Sequence, residues 1–268
     1  MTAVFWLHPV IPAEWGGPVI KYRCVKSGNL DLPRTDEISF PRQSGPLEQN
    51  RNQKEESRMW GENRLTRMLG IRYPVIQAGM AGGAAMPELV AAVSEAGGLG
   101  TLGAGYLSPE GIREAIREIR SRTDRPFAVN LLVTQEPSPS AEELQRGREL
   151  LAPVQREMGL EPGEPARYAP SFAAQMEVLV EEKIPVFSFT FAIPEQKWLN
   201  RLKDEGTILI GTATTVREGE LLEAAGVDLV TAQGAEAGGH RGTFAGTYEQ
   251  GMVGTMALVP QLVDGIGL

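Results

Sequence analysis

The sequence predicts an α/β fold, a TIM-type (β/α) barrel that is incomplete, with about six of the eight βα units such a barrel needs. Three observations carry this reading. Short apolar runs bounded by Gly and Pro recur along the chain, each followed by a segment of helical period. The βα alternation is strict from residue 65 onward, which calls for parallel strands joined by helical crossovers. Glycine-rich loops stand at the carboxyl ends of several runs, the end where barrels of this type carry their sites. A doubly wound open sheet is the competing arrangement.

The elements run in order. Pro74-Val75-Ile76-Gln77-Ala78 reads as a short buried strand, and residues 87–96 as a helix with Pro87 in its first turn and Gly97 just past its end. Residues 98–102 form a second strand. Ser108 caps a second helix over 108–122, with Pro109 at the first helical position. A third strand covers 127–133. A longer segment comes after it, with a helix over 140–157, a Pro/Gly-rich linker and a helix over 171–183. The fourth strand is 185–190, succeeded by a helix over 194–204. The fifth is 207–211 with a helix over 216–225, and the sixth is 227–232. Residues from about 255 begin a further helix. Residues 1–58 show neither period, and 49–58 are almost wholly polar. They read as a disordered or non-native extension, with Met59 a natural start for the barrel-like remainder. A small independent domain is the other reading.

The formal net charge of −8 argues against nucleic acid and anionic membrane surfaces as partners, since both favour basic patches. A single cysteine, Cys24, builds neither a disulfide framework nor a thiolate cluster and points to a reducing, cytoplasmic location. No apolar run approaches the roughly 20 residues that span a bilayer. Pro9, Pro12 and Pro18 break the apolar start, which lacks the basic region of a secretory signal. The oligomeric state has no signature in the sequence.

The densest motif is Ala232-Gln233-Gly234-Ala235-Glu236-Ala237-Gly238-Gly239-His240-Arg241-Gly242, directly after the sixth strand. Glycine lets backbone approach a flat or anionic ligand closely. Imidazole is the side chain best suited to proton transfer near neutral pH. The chain has two histidines, His8 and His240, so His240 is the candidate by elimination. Gln77-Ala78-Gly79-Met80-Ala81-Gly82-Gly83 follows the first strand, as a ligand loop or as a merely flexible one. Asn130 is an amide inside an apolar strand and must be hydrogen-bonded, either to neighbouring backbone or to a heteroaromatic ligand edge. Gln233 and Gly238 flank the last loop, where they are placed to donate to a ligand ring and to admit its phosphate or carbonyl. Ser188 and Thr190 alternate with phenylalanines in a pattern of barrel packing.

Gly98-Leu99-Gly100-Thr101-Leu102-Gly103 spells the dinucleotide fingerprint, but its glycines lie within a strand and follow a helix, so close backbone packing is the better reading. No Cys/His cluster suggests a metal, and the acidic residues read as solvated helical faces. The G-x-S-x-G elbow and the G-x-x-x-x-G-K-[ST] loop are both absent.

Several stretches together resemble the nitronate monooxygenase family, the former 2-nitropropane dioxygenases. They are Met59-Trp60, Arg64-Leu65-Thr66, Tyr73-Pro74-Val75-Ile76-Gln77-Ala78-Gly79-Met80-Ala81-Gly82-Gly83, Glu95-Ala96-Gly97-Gly98-Leu99-Gly100, Phe127-Ala128-Val129-Asn130-Leu131, Ser188-Phe189-Thr190-Phe191 and the loop through Gly242. The resemblance runs from about residue 59 to 268. It implies an FMN-dependent TIM barrel that oxidises alkyl nitronates with O2 to a carbonyl compound and nitrite. It further implies that Asn130, Gln233, Gly238 and the neighbouring Gly239 contact FMN, and that the Gln77, Ala78, Gly79 and Met80 loop lies against the flavin. His240 matches the active-site histidine, a base toward neutral nitroalkanes. The partners so implied are a small nitronate or nitroalkane and O2.

Two departures stand out. Gly79 occupies a position where the family usually has proline. The glycine-rich turns after the family's seventh and eighth strands, which bind the FMN phosphate, have no counterpart, so an incomplete copy of the barrel is expected. Two alternatives remain: the FMN-dependent enoyl-acyl carrier protein reductase, which generally lacks a segment like residues 136–170, and a non-catalytic truncated remnant.

Overall fold

A computed structural model describes residues 61–134, 139–160 and 169–268. The extension over residues 1–58 and most of the Pro/Gly-rich linker lie outside the described residues. The described chain begins with helix α1 (Arg64–Leu69) and then α2 (Pro87–Glu95), β1 (Gly100–Gly103), α3 (Pro109–Arg122) and β2 (Phe127–Leu132). It continues through α4 (Ala141–Glu157), α5 (Phe172–Glu181), β3 (Val186–Thr190), α6 (Gln196–Asp204) and β4 (Ile208–Ala213). Helix α7 (Val216–Ala224), β5 (Leu229–Ala232) and α8 (Thr255–Gly265) complete it.

All strand pairs are parallel, and the sheet order is β1-β2-β3-β4-β5. Each strand adds to the one before it, on the same side throughout. A doubly wound sheet would reverse its order at a switch point; among the described strands there is none, so they form a singly wound arc of the TIM-barrel type. The start signals are those the sequence indicates. Ser108 accepts from the Gly111 amide at 3.1 Å with Pro109 behind it, and Pro87 opens α2.

The structure corrects the sequence reading in two places. The strand expected over 74–78 is a single bridge, Ile76 to Leu99. The ladder stops there because the Gln77 side chain takes over its next rung. Its Oε1 accepts from the Thr101 amide at 3.0 Å and its Nε2 donates to the Thr101 carbonyl at 3.2 Å. The described sheet therefore has five strands plus this bridge rather than six. Helix α1 is an addition that the sequence reading lacks. Asn63 caps it reciprocally with Thr66, and Gly70 ends it in the left-handed conformation.

The two faces of the sheet bury different cores. Leu102, Val129, Leu131, Phe187, Phe189 and Leu209 pack outward against the crossover helices, meeting Ile112, Ile116, Leu179 and Leu199. On the other face Leu99, Ala128, Val186 and Ile210 form a smaller cluster, closed below by Leu65 and Leu69 of α1. Further along the same face come Thr101, Asn130, Ser188, Thr190 and Thr212. This face is apolar at the amino ends of the strands and polar toward the carboxyl ends. The gradient directs hydrogen-bonding groups at the loops that carry the candidate site.

The glycines of the fingerprint serve packing, as expected. A Cβ on Gly100 would overlap the Val90 carbonyl of α2, and one on Gly103 would lie 2.5 Å from the Ala81 nitrogen. Contacts this close have no room for a side chain.

Candidate active site

Polar groups at the carboxyl ends of the strands link into one continuous surface. The Asn130 amide donates to Ser188 Oγ at 2.9 Å, and the Thr190 and Thr212 hydroxyls lie 3.2 Å apart. A Cβ on Gly79 would lie 2.7 Å from the Cβ of Asn130, so the Ala78-Gly79-Met80 loop rests on β2. A Cβ on Gly242 would lie 2.8 Å from Thr190 and 3.3 Å from Thr212, which brings the histidine loop down onto β3 and β4. The structure thus gathers the loop after Gln77, Asn130, and the Gln233 to Gly242 loop on one end of the sheet.

Gln77 and Gln233 have a different environment from that of a free ligand donor. Gln77 is bound to the β1 backbone, as described above. Gln233 Nε2 donates to the His240 carbonyl at 2.9 Å while its Oε1 accepts from the Gly242 amide at 2.7 Å. Both amides hold loops in place. Asn130 keeps its Oδ1 without a partner among the described residues. Ala78, Gly238 and Gly239 are not buried, and Gly239 adopts φ 82°, a conformation that favours glycine.

Arg241 braces the same loop from within. Its guanidinium donates to the Gly234 carbonyl at 2.7 Å and to the Gly251 carbonyl, and its Nε is buried without a partner among the described residues. The loop closes on α8, where the Glu236 carboxylate accepts from the Thr255 amide at 2.9 Å. Hydrogen bonds from its own backbone, then from the Thr255 hydroxyl and amide, hold the Glu236 carboxyl below the usual carboxylate range. A group with a depressed folded pKa stabilises above its unfolded pKa and loses that contribution as pH falls through the folded one. Protection of the Thr255 amide from hydrogen exchange is therefore expected to fall on acidification below the ordinary carboxylate pKa, and Glu236→Gln removes this pH dependence.

His240 has an exposed imidazole whose ring meets Phe191 edge-on, with centroids 5.9 Å apart and planes at 83°. Both residues line a cleft of about 260 Å³ with Gly105, Tyr106, Leu132 and Phe172. Phe191 follows β3 with φ 82°, a left-handed backbone that costs a non-glycine residue on the order of 1–3 kcal/mol. From this turn its ring meets His240 and lines the cleft. The sequence offers no signal for this turn. Gln175, also unanticipated, is buried on α5 and donates to the Leu107 carbonyl at 2.8 Å, fixing the loop that carries Tyr106.

The acidic residues are expected on solvated helical faces, and Glu218 departs from this. It is fully buried in the first turn of α7, beneath the histidine loop. Thr215-Val216-Arg217-Glu218 has the spacing of a capping box, a signal that could draw attention to it. Among the described residues no group of three or more His, Cys, Asp or Glu could hold a metal ion, and no helix is long and apolar enough to cross a membrane.

A singly wound parallel α/β arc with a histidine-bearing glycine loop at its carboxyl end defines a barrel-type enzyme fold with its site on the strand ends. The chain belongs to the nitronate monooxygenase family, a family of flavin-dependent oxidoreductases, whose model matches residues 62–267. It is 43% identical over 212 residues to a curated protein described as a probable nitronate monooxygenase from Staphylococcus aureus (strain MSSA476), covering 78% of this chain and 59% of that one. The chain thus spans 59% of the length of the curated relative. Among solved structures it is similar to the nitroalkane oxidase from Streptomyces ansochromogenes, with a TM-score of 0.66 and 37% identity over 77% of this chain and 59% of that one. FabK from Thermotoga maritima also matches, with a TM-score of 0.56 and 32% identity over 77% of this chain and 52% of that one.

Proposed function

We propose that this chain carries the proton-abstracting part of an FMN-dependent site that oxidises alkyl nitronates or nitroalkanes with O2 to a carbonyl compound and nitrite. The observation that carries the proposal is the placement of His240, an exposed imidazole set against Phe191 in a cleft that Tyr106, Leu132 and Phe172 line on its apolar part. A short alkyl group fits an apolar wall, and its acidic α-carbon would then stand beside a base.

The residues present suit a flavin. Asn130 Oδ1 is an unpartnered acceptor on the polar face. The open backbone at Gly238 and Gly239 has nothing within 4 Å of where a Cβ would be. The Ala78-Gly79-Met80 loop would lie against the ring, with Gln77 and Gln233 holding the two loops from behind. When bound, the flavin would supply the redox chemistry that no side chain here provides. The protein's own contribution is to accept a proton at His240, to keep the alkyl group dry between Tyr106, Leu132 and Phe191, and to fix the loops.

Titrating the purified chain with FMN tests this directly. Saturable binding with a perturbed flavin absorbance spectrum is expected, and a spectrum unchanged at excess protein would sink the flavin part and favour a non-catalytic remnant. The enoyl-acyl carrier protein reductase alternative requires NAD(P)H oxidation, which is expected to be absent. The stronger likeness to the nitroalkane oxidase, 37% identity against 32%, supports that choice.

A further inference from the structure

The Glu218 carboxylate is not among the residues lining the cleft, yet both of its oxygens are filled by donors. Its Oε2 accepts from the Thr214 amide at 2.6 Å and the Thr214 hydroxyl at 2.7 Å. Its Oε1 accepts from the Phe244 amide at 2.5 Å and the Ala245 amide at 2.8 Å. No cation among the described residues pairs with it. Burying a carboxylate is costly unless its oxygens are filled, and here donors fill both.

These four bonds join three pieces of the fold. Thr214 comes directly after β4, Glu218 belongs to α7, and Phe244 and Ala245 continue the loop beyond His240. The Thr214 hydroxyl also lies 2.9 Å from that of Thr243. Upstream, Gln233 grips the loop at the His240 carbonyl and the Gly242 amide. The imidazole itself makes no hydrogen bond among the described residues, so its orientation rests on its backbone anchors and on Phe191. Gln233 holds that backbone at His240 and Gly242, and Glu218 holds its continuation at Phe244 and Ala245.

We propose that Glu218 is a positioning residue, whose buried carboxylate sets the His240 imidazole against Phe191 through the Thr243 to Ala245 segment. Its consequence for catalysis rests on the reading of His240 as proton acceptor; its structural consequence does not. Glutamine is nearly isosteric with glutamate, but its NH2 group would face two donors wherever it points. Asymmetric loss of one pair of bonds is the result.

The test uses the full chain with His8→Gln as background, which leaves His240 as the one imidazole for NMR. Phe191→Leu defines the ring shifts of a histidine that has lost its aromatic neighbour. In Glu218→Gln the His240 ring signals are expected to move toward those of Phe191→Leu, and exchange at the Phe244 and Ala245 amides to quicken at least about tenfold, as for one lost charge-assisted hydrogen bond. Quickened exchange with unmoved ring signals would overturn the proposal and leave Glu218 a purely structural anchor. Should Glu218→Gln fail to fold, Thr214→Val keeps the carboxylate and removes one donor. A smaller ring shift in the same direction supports the proposal, and none refutes it. With FMN added, kcat/KM of Glu218→Gln on a neutral nitroalkane is expected to fall more than on preformed nitronate. If the wild-type chain turns over neither, the functional reading has failed while the ring shifts still decide the positioning.

Discussion

Replacing His240 by asparagine is expected to lower kcat/KM on a neutral nitroalkane by about 10²–10⁴-fold, the usual worth of a positioned general base. Asparagine keeps a polar group of similar reach at the cleft mouth but cannot accept the α-carbon proton. Turnover of preformed nitronate, which has already lost that proton, is expected to fall far less. The split between the two substrates is the informative quantity, because a variant that lost the site as a whole would depress both. Steady-state rates with each substrate, on the same FMN-loaded preparation, measure it. Equal losses would remove the base assignment and leave His240 a binding residue. Intact rates on both would remove it from the site altogether.

The largest effect on stability is expected at the opposite face of the sheet. Phe187 is the second residue of β3, fully buried between the strands and the crossover helices, with the Phe189 ring 5.5 Å away. Phe187→Ala removes the ring from a core that cannot collapse around it, since parallel strands on both sides fix its surroundings. A loss of about 3–5 kcal/mol is expected, comparable to much of the stability of an ordinary domain. Urea unfolding followed by circular dichroism would show it as a lowered midpoint at unchanged slope. The same change at the exposed Leu150 of α4 is expected to move the midpoint little, because that helix contributes no buried residue.

The parts of the fold visible in the sequence are those that depend on local pattern. Period and capping residues locate the helices; Ser108 and Pro109 mark the start of α3 to the residue. Gly98 to Gly103 separate correctly from the dinucleotide fingerprint, because whether a glycine sits in a strand or opens a helix is a local property. Hidden from the sequence is side-chain traffic across long separations. Gln77 looks like a loop amide until it is found serving as a rung of β1, 24 positions away. Gln233 reads as a loop amide, and its bonds to His240 and Gly242 appear only once the loop has folded back. Glu218 meets Phe244 and Ala245 across 26 and 27 positions, a pairing that neither charge pattern nor hydropathy records. Phe191 is hidden for another reason: its strained turn is imposed by its surroundings, and an aromatic residue carries no preference for a left-handed backbone.

The sheet order has a consequence for how the chain is made. Every strand pairs with its immediate predecessor, and no registered pair is separated by more than about 60 residues. A ribosome releasing this chain therefore delivers each strand to an edge that is already in place, so assembly can run from the amino end in step with synthesis. The polar ends of the strands accumulate in the same sequence. The histidine loop comes late and settles on a floor laid down before it.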